Sequence, residues 1–174
     1  MMKNLIAILI FLISFQLHAN QSSDYTLAAG DQIRILVYNE PDLTLQVLIG
    51  DDGKINFPLV GNIPVSGKTT KEVQKLVHDG LKGDYLLNPS VQVDIVTYRP
   101  FYIHGEVNKP GAYAYQPGLT VDQAVALGGG FTERASISKI YLDQGLNSKS
   151  QKKNVSLGYI VSPGDTITIE QSFF

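Results

Sequence analysis

Three kinds of side chain in this sequence could carry chemistry: histidines, acids beside glycines, and a cluster of tyrosines. The histidines are His18, His78 and His104. None has a spacing such as HExxH that would place two imidazoles on one metal, so ordinary polar or core roles are expected, and no metal site. The acids that stand out are Asp31, Asp51, Asp52 and Asp165, each next to a glycine. Short carboxylates at turns bond nearby backbone N–H groups, which accounts for them without catalysis. Glycoside hydrolysis would need two carboxylates facing one cleft, and the sequence leaves such a pair open. No G-x-S-x-G elbow occurs. Gly128-Gly129-Gly130 follows a helical pattern, whereas a phosphate-cradling loop must lead into a helix. Nucleotide binding is therefore rejected, and no cofactor is expected. The chain has no cysteine, which excludes disulfides, thiolate zinc sites and a cysteine nucleophile.

Tyr98, Tyr102, Tyr113 and Tyr115 lie close together in the chain. Tyrosine rings stack on sugars and phenols bond hydroxyls, but sheet tyrosines also bury their rings and wet their tips. Tyr102 and Tyr113, with Arg99 and Glu106 beside them, are the candidates for a sugar path or a subunit seam.

The stretch Tyr98–Ala135 must position these residues. Phe101-Tyr102-Ile103 is a short apolar strand, and Lys109-Pro110-Gly111 reverses the chain. Ala112–Gln116 has tyrosine at alternate positions, the period of a strand. Thr120 and Gln123 form a capping box for a helix whose apolar face is Val121, Ala124, Val125 and Gly128. Glycines 128–130 stop it.

Before this stretch, Met1–Ala19 has the layout of a secretory signal peptide: Lys3, an apolar run from Leu5 to Phe15, then a polar end at Ala19. The run is shorter than the roughly 20 apolar residues a span requires. Cleavage after Ala19 is expected, with a loose polar tail over Asn20–Asp24. No Cys follows the run to take a lipid anchor, so the mature chain is expected to be soluble and exported.

Ile33, Ile35 and Val37 mark a buried strand after the Gly30-Asp31 turn. Leu45–Phe57 reads as a hairpin around Asp52-Gly53, the type I′ signal. Pro58–Val65 continues as a broken edge strand. Thr69 and Glu72 cap an amphipathic helix carrying Val73, Leu76, Val77 and Leu81, which ends near Gly80 or Gly83. Lys71, Lys75 and Lys82 lie off its apolar stripe and read first as a solvated face. Val91, Val93 and Ile95 form the next strand.

After the glycine stop, Ile137–Asp143 is a strand, Gln144–Lys153 an exposed hairpin loop and Val155–Tyr159 a short strand. Ser162-Pro163-Gly164-Asp165 turns into a final strand over Thr166–Glu170. Gly164-Asp165 echoes Gly30-Asp31, each followed by an Ile-x-Ile strand. The chain of 174 residues has a formal charge of −2 and no basic block, which argues against nucleic acid.

Two ordered sets of motifs resemble a known family. GEV-x-x-PG-x-Y, then a Thr-capped helix ending in GGG-F-T, resembles the soluble-ligand-binding β-grasp (SLBB) module of bacterial polysaccharide export proteins. Tyr25-x-Leu27-x-x-Gly30-Asp31-x-Ile33-x-Ile35 and the run from Asp52-Gly53 to Thr69, with Asn88-Pro89-x-Val91-x-Val93, resemble the export domain of the same proteins. The resemblance implies an α+β fold: signal peptide 1–19, polysaccharide export domain 20–97, SLBB domain 98–174. It implies a periplasmic, non-enzymatic component of capsular or exopolysaccharide export, associated with the outer membrane and assembled as a homo-oligomeric ring around polysaccharide. An inner-membrane chain-length regulator or co-polymerase would be a partner. No stretch after Ala19 is apolar enough to span, so a separate outer-membrane partner such as a β-barrel is expected. The alternatives are a monomeric periplasmic ligand- or glycan-binding module, and a cell-envelope hydrolase.

Overall fold

The computed structural model describes residues 25–144 and 152–172. The expected signal peptide and tail, and most of the loop expected at Gln144–Lys153, lie outside these residues.

In the first half, β1 (Gln32–Val37) lies between β2 (Leu45–Leu48) and β5 (Val91–Thr97), antiparallel to both. Ile33, Ile35 and Val37 point inward, as period two requires. Helix α1 (Thr70–Leu81) packs on β5 and buries Val73, Val77 and Leu81. Leu76, expected on the same stripe, is 37% exposed. The capping box is present: Glu72 N–H donates to Thr69 Oγ1 (3.2 Å), and Thr69 N–H donates to a Glu72 oxygen (2.7 Å). That backbone bond is the main reason the Glu72 carboxyl is held below its ordinary range.

Leu45–Phe57 does not form the expected hairpin. β2 pairs with β1, while β3 (Lys54–Phe57) pairs with β4 (Gly61–Pro64) in a separate two-stranded sheet. A type I′ turn needs positive φ at both central residues, and of Asp52 and Gly53 only Gly53 has it (67°). Gly53 is instead the last residue of a turn closed on the Gly50 carbonyl (2.9 Å). Its own carbonyl accepts from Val65 and Ser66, which holds the turn against the end of β4. The true hairpin turn is Pro58-Leu59-Val60, with Leu59 at φ 66°.

The second half is one five-stranded sheet. Its strands are β6 (Phe101–Gly105), β7 (Gly111–Tyr113), β8 (Ala135–Gln144), β9 (Lys153–Asn154) and β10 (Asp165–Gln171). Their order is β7-β6-β10-β8-β9, with β6 and β10 parallel and the other pairs antiparallel. Helix α2 (Val121–Leu127) buries Val121, Ala124 and Val125. First and last strands side by side, with one helix sharing their buried cluster, is the β-grasp arrangement. β7 is shorter than the expected Ala112–Gln116 strand. The glycine stop closes with Gly130 N–H on Val125 O (2.9 Å) and Gly129 N–H on Ala126 O (3.0 Å), the bond pair of a Schellman motif.

The strand expected over Val155–Tyr159 is displaced to Lys153–Asn154. The following residues give their carbonyls to the start of α2: Val121 N–H donates to Tyr159 O (2.9 Å) and Asp122 N–H to Leu157 O (3.0 Å). These are first-turn donors with no partner inside the helix, so the segment is occupied and cannot continue a ladder.

Each half has its own buried cluster. One runs from Leu27 to Val93, around Phe57, Ile33 and Ile35. The other runs from Phe101 to Ile169, around Phe101, Ile140 and Ile167. The two share no residue.

Candidate functional site

The two halves meet at a polar joint built from one turn used twice. At the start of β1, Asp31 N–H donates to Ala28 O (3.2 Å), and Asp31 Oδ2 accepts from Ala28 N–H (2.8 Å). At the start of β10, Asp165 N–H donates to Ser162 O (3.1 Å), and Asp165 Oδ2 accepts from Ser162 N–H (2.7 Å). The third residue of each turn is a glycine at positive φ, 90° at Gly30 and 86° at Gly164, as a type II turn demands.

Arg99 lies between these turns. A Cβ on Gly30 would stand 3.2 Å from Arg99 Cβ, and one on Gly164 would stand 2.7 Å from Arg99 Nε. Either side chain would press on the arginine. Arg99 is 8% exposed, and its guanidinium donates to Asp31 Oδ2 at 2.9 Å. The Arg99 backbone N–H donates to the other oxygen at 2.8 Å. The Tyr25 hydroxyl accepts from Arg99 (2.5 Å) and donates to Asp31 (2.6 Å). One fully buried carboxylate thus ties the opening segment, the first turn and the connection between the sheets. Arg99 Nε has no hydrogen-bond partner among the described residues.

Burial sets the electrostatics here. It pushes the Asp165 carboxyl up to about 6, with Asp143 adding to the rise and the Ser162 N–H and Arg99 opposing it. Burial also lifts the Tyr25 phenol far above its ordinary value, and its bond to Asp31 adds to that. Three tyrosine rings continue the joint edge to face. Tyr25 and Tyr98 are 5.1 Å apart at 78°, and Tyr98 and Tyr115 are 5.3 Å apart at 74°. The Tyr115 phenol is raised by burial as well. The chemistry of this arrangement is mechanical: it fixes one sheet against the other.

The four residues singled out from the sequence each have their own neighbours. Arg99 is the centre of the joint. Tyr102 sits on β6 opposite Ala112 and Thr166, 47% exposed. Tyr113 stacks on Phe101 at 5.9 Å, and its hydroxyl donates to Lys109 O (2.6 Å). Glu106 accepts from the Thr132 hydroxyl (2.5 Å) and lies 3.8 Å from Arg134. His78 bonds the Pro89 carbonyl through Nδ1 (2.8 Å), and His104 bonds Thr168 Oγ1 through Nε2 (3.1 Å). Sequence reasoning found the local role of Asp31 but missed its pairing with Arg99, 68 residues away. The repeated Gly-Asp turn was the one available signal. Among the described residues no group of His, Cys, Asp and Glu could hold a metal, and no helix is long and apolar enough to cross a membrane.

Comparison with known proteins adds the family. The family model described as polysaccharide biosynthesis/export protein matches residues 19–96, and the SLBB domain model matches residues 100–156. The two matches flank Arg99. The chain is 46% identical over 86 residues to the exopolysaccharide production protein ExoF of Rhizobium meliloti, covering 47% of this chain and 20% of that protein. It is 24% identical over 185 residues to the EPS I polysaccharide export outer membrane protein EpsA of Ralstonia nicotianae (87% of this chain, 48% of the relative). It is 29% identical over 140 residues to the polysialic acid transport protein KpsD of Escherichia coli (77% and 24%). The chain spans less than half the length of each of these relatives, whose names describe production, export or transport of polysaccharide and no catalysed reaction. The chain carries a polysaccharide biosynthesis/export domain followed by an SLBB domain, and the relatives it matches are named for polysaccharide production, export or transport.

Proposed function

We propose that this protein is a non-catalytic component of a capsular or exopolysaccharide export machine, contributing to a ring or channel that passes polymer toward the outer membrane. The observation that carries the reading is the order of the two matched domains, export then SLBB, over most of the chain. In this role nothing reacts, and the protein supplies wall and interfaces. Ring closure uses a heterologous contact, one face of a subunit against a different face of the next. The division at residues 97–98 makes the Arg99 joint the element that holds the two domains at the angle a ring requires. Residues 1–19 act as a cleavable signal peptide that delivers the chain to the periplasm. An inner-membrane chain-length regulator and a separate outer-membrane component are its partners.

Of the four candidate residues, Tyr102 has a half-exposed ring suited to a sugar path or a subunit seam. Replacing it with Ala is expected to reduce export without unfolding the sheet. The test of the whole reading is a clean deletion scored for surface polysaccharide, with the molar mass of the purified protein beside it. Loss of surface polymer and an oligomeric protein are expected.

A second reading, a monomeric ligand-binding module, draws on an open groove of about 510 Å³ beside α2, lined by Gln116, Leu119, Gln123 and Leu127. A monomer with measurable affinity for a small glycan and a deletion that leaves export intact would favour it.

A further inference from the structure

Helix α1 has a second face, basic and polar, beside its apolar one. Lys71, Lys75 and His78 stand at spacings of four and three, which places them along one side of the helix. With Gln74 they line a cleft of about 420 Å³, whose far wall is the loop bearing Asn88 and Ser90. No side chain of that lining is acidic, although the chain as a whole carries −2.

Lys71 and Lys75, one turn apart, set two like charges on the same side of the helix, away from the apolar face at Val73, Val77 and Leu81. The cleft is also braced. Pro89 is buried, and its carbonyl takes a bond from His78 Nδ1 at 2.8 Å. A carbonyl only accepts, so Nδ1 carries the proton and the ring is pinned to the loop. Asn88 and Ser90 then stand exposed on either side of the buried proline.

Two ammonium groups, an imidazole, two amides and a hydroxyl around a small cleft match a ligand that is anionic and rich in hydroxyls. The lysines answer the charge, and the amides and hydroxyl answer the ring. We propose that this cleft binds a carboxylate-bearing sugar of an acidic polysaccharide. The proposal rests on the export reading and deepens it, naming the class of polymer and the face it follows.

Titration of the purified full chain with tri-galacturonate, maltotriose and inorganic phosphate tests it, read by calorimetry or amide chemical shifts at low salt. Tri-galacturonate is expected to bind at least about tenfold more tightly than maltotriose, and the binding weakens as salt screens the lysines. Phosphate, which offers the charge without the ring, is expected to bind more weakly than the trimer. Lys71→Glu with Lys75→Glu is expected to reduce affinity at least about tenfold with the melting transition retained, while Lys82→Glu, outside the lining, leaves it unchanged. Asn88→Ala lowers affinity without changing its salt dependence. Equal affinity for the neutral and acidic trimers, phosphate binding as tight as the trimer, or equal effects of the cleft and control variants would overturn the proposal. A wild-type chain that restores surface polymer to a deletion strain but ignores tri-galacturonate also overturns it, and leaves export standing. A deletion strain with unchanged surface polymer overturns the export reading, and with it the assignment to an exported glycan.

Discussion

Removing the Arg99 guanidinium is expected to damage this protein more than its place in a connecting segment suggests. Arg99→Met keeps the apolar stem and removes the charge. Asp31 is then left at 0% exposure with the Tyr25 hydroxyl and two backbone N–H groups but no cation. Breaking a buried ion pair on one side costs about 3–5 kcal/mol, because the remaining charge stays buried. For a chain of this length that lowers the melting temperature by about 6–20 °C. Asp31→Asn is expected to cost a similar amount, since it strands the guanidinium and turns one acceptor into a donor facing N–H groups. Asp31→Asn with Arg99→Met leaves neither charge behind, so it costs less than the two single losses added together, with a coupling of about 2 kcal/mol. Urea denaturation of the four proteins, followed by tyrosine fluorescence and by circular dichroism, measures the cycle. Single losses below about 1 kcal/mol, or strict additivity in the double variant, would refute the claim that this pair locks the joint.

Other outcomes follow from the same geometry. The Asp165 carboxyl sits at about 6, above its ordinary 3.8, so the folded chain holds that proton more tightly than the unfolded chain. Its contribution is therefore full below about pH 4 and lost as pH rises through about 6. Asp165→Asn, whose amide oxygen can still accept from Ser162, is expected to gain on wild type by on the order of 2 kcal/mol between pH 4 and 7, and a flat difference would contradict this. Arg99 and Asp143 are the charged groups that act on this carboxyl and belong in the comparison. Gly105→Ala would set a Cβ 2.0 Å from the Ile169 carbonyl oxygen, backbone against backbone at the β6–β10 pair. It is expected to cost at least about 3 kcal/mol, read as loss of the folded second half in amide spectra. Thr120→Ala removes the acceptor for Gln123 N–H and is expected to cost about 1 kcal/mol by thermal melting.

What could be read from the chain was whatever local chemistry fixes. Both capping boxes lay in four-residue patterns, Thr69–Glu72 and Thr120–Gln123, and both form. The alternating apolar residues of β1, β5, β8 and β10 announced their strands, because period two survives in any half-buried sheet. Pairing was harder. Asp52-Gly53 has the composition of a hairpin turn, but β2 finds its partner in β1 instead, and the carbonyl of Gly53 is taken by Val65 and Ser66. Val155–Tyr159 was misread because its carbonyls serve α2, a demand that no pattern inside the segment expresses. The joint was half legible. Each Gly-Asp turn showed itself, while their meeting on one arginine depends on how two sheets are set against each other. The basic face of α1 was visible as lysines off an apolar stripe, and only the fold adds the opposing loop that makes it a cleft.

Export of polymer is the claim on which the rest depends, and the place where polymer stops in a deletion strain tests it most directly. Polysaccharide is measured separately at the cell surface, in the medium and in the periplasm. The account predicts loss from the surface and medium with polymer retained behind the outer membrane, restored by the wild-type chain. Surface polymer at wild-type levels in the deletion strain would contradict it.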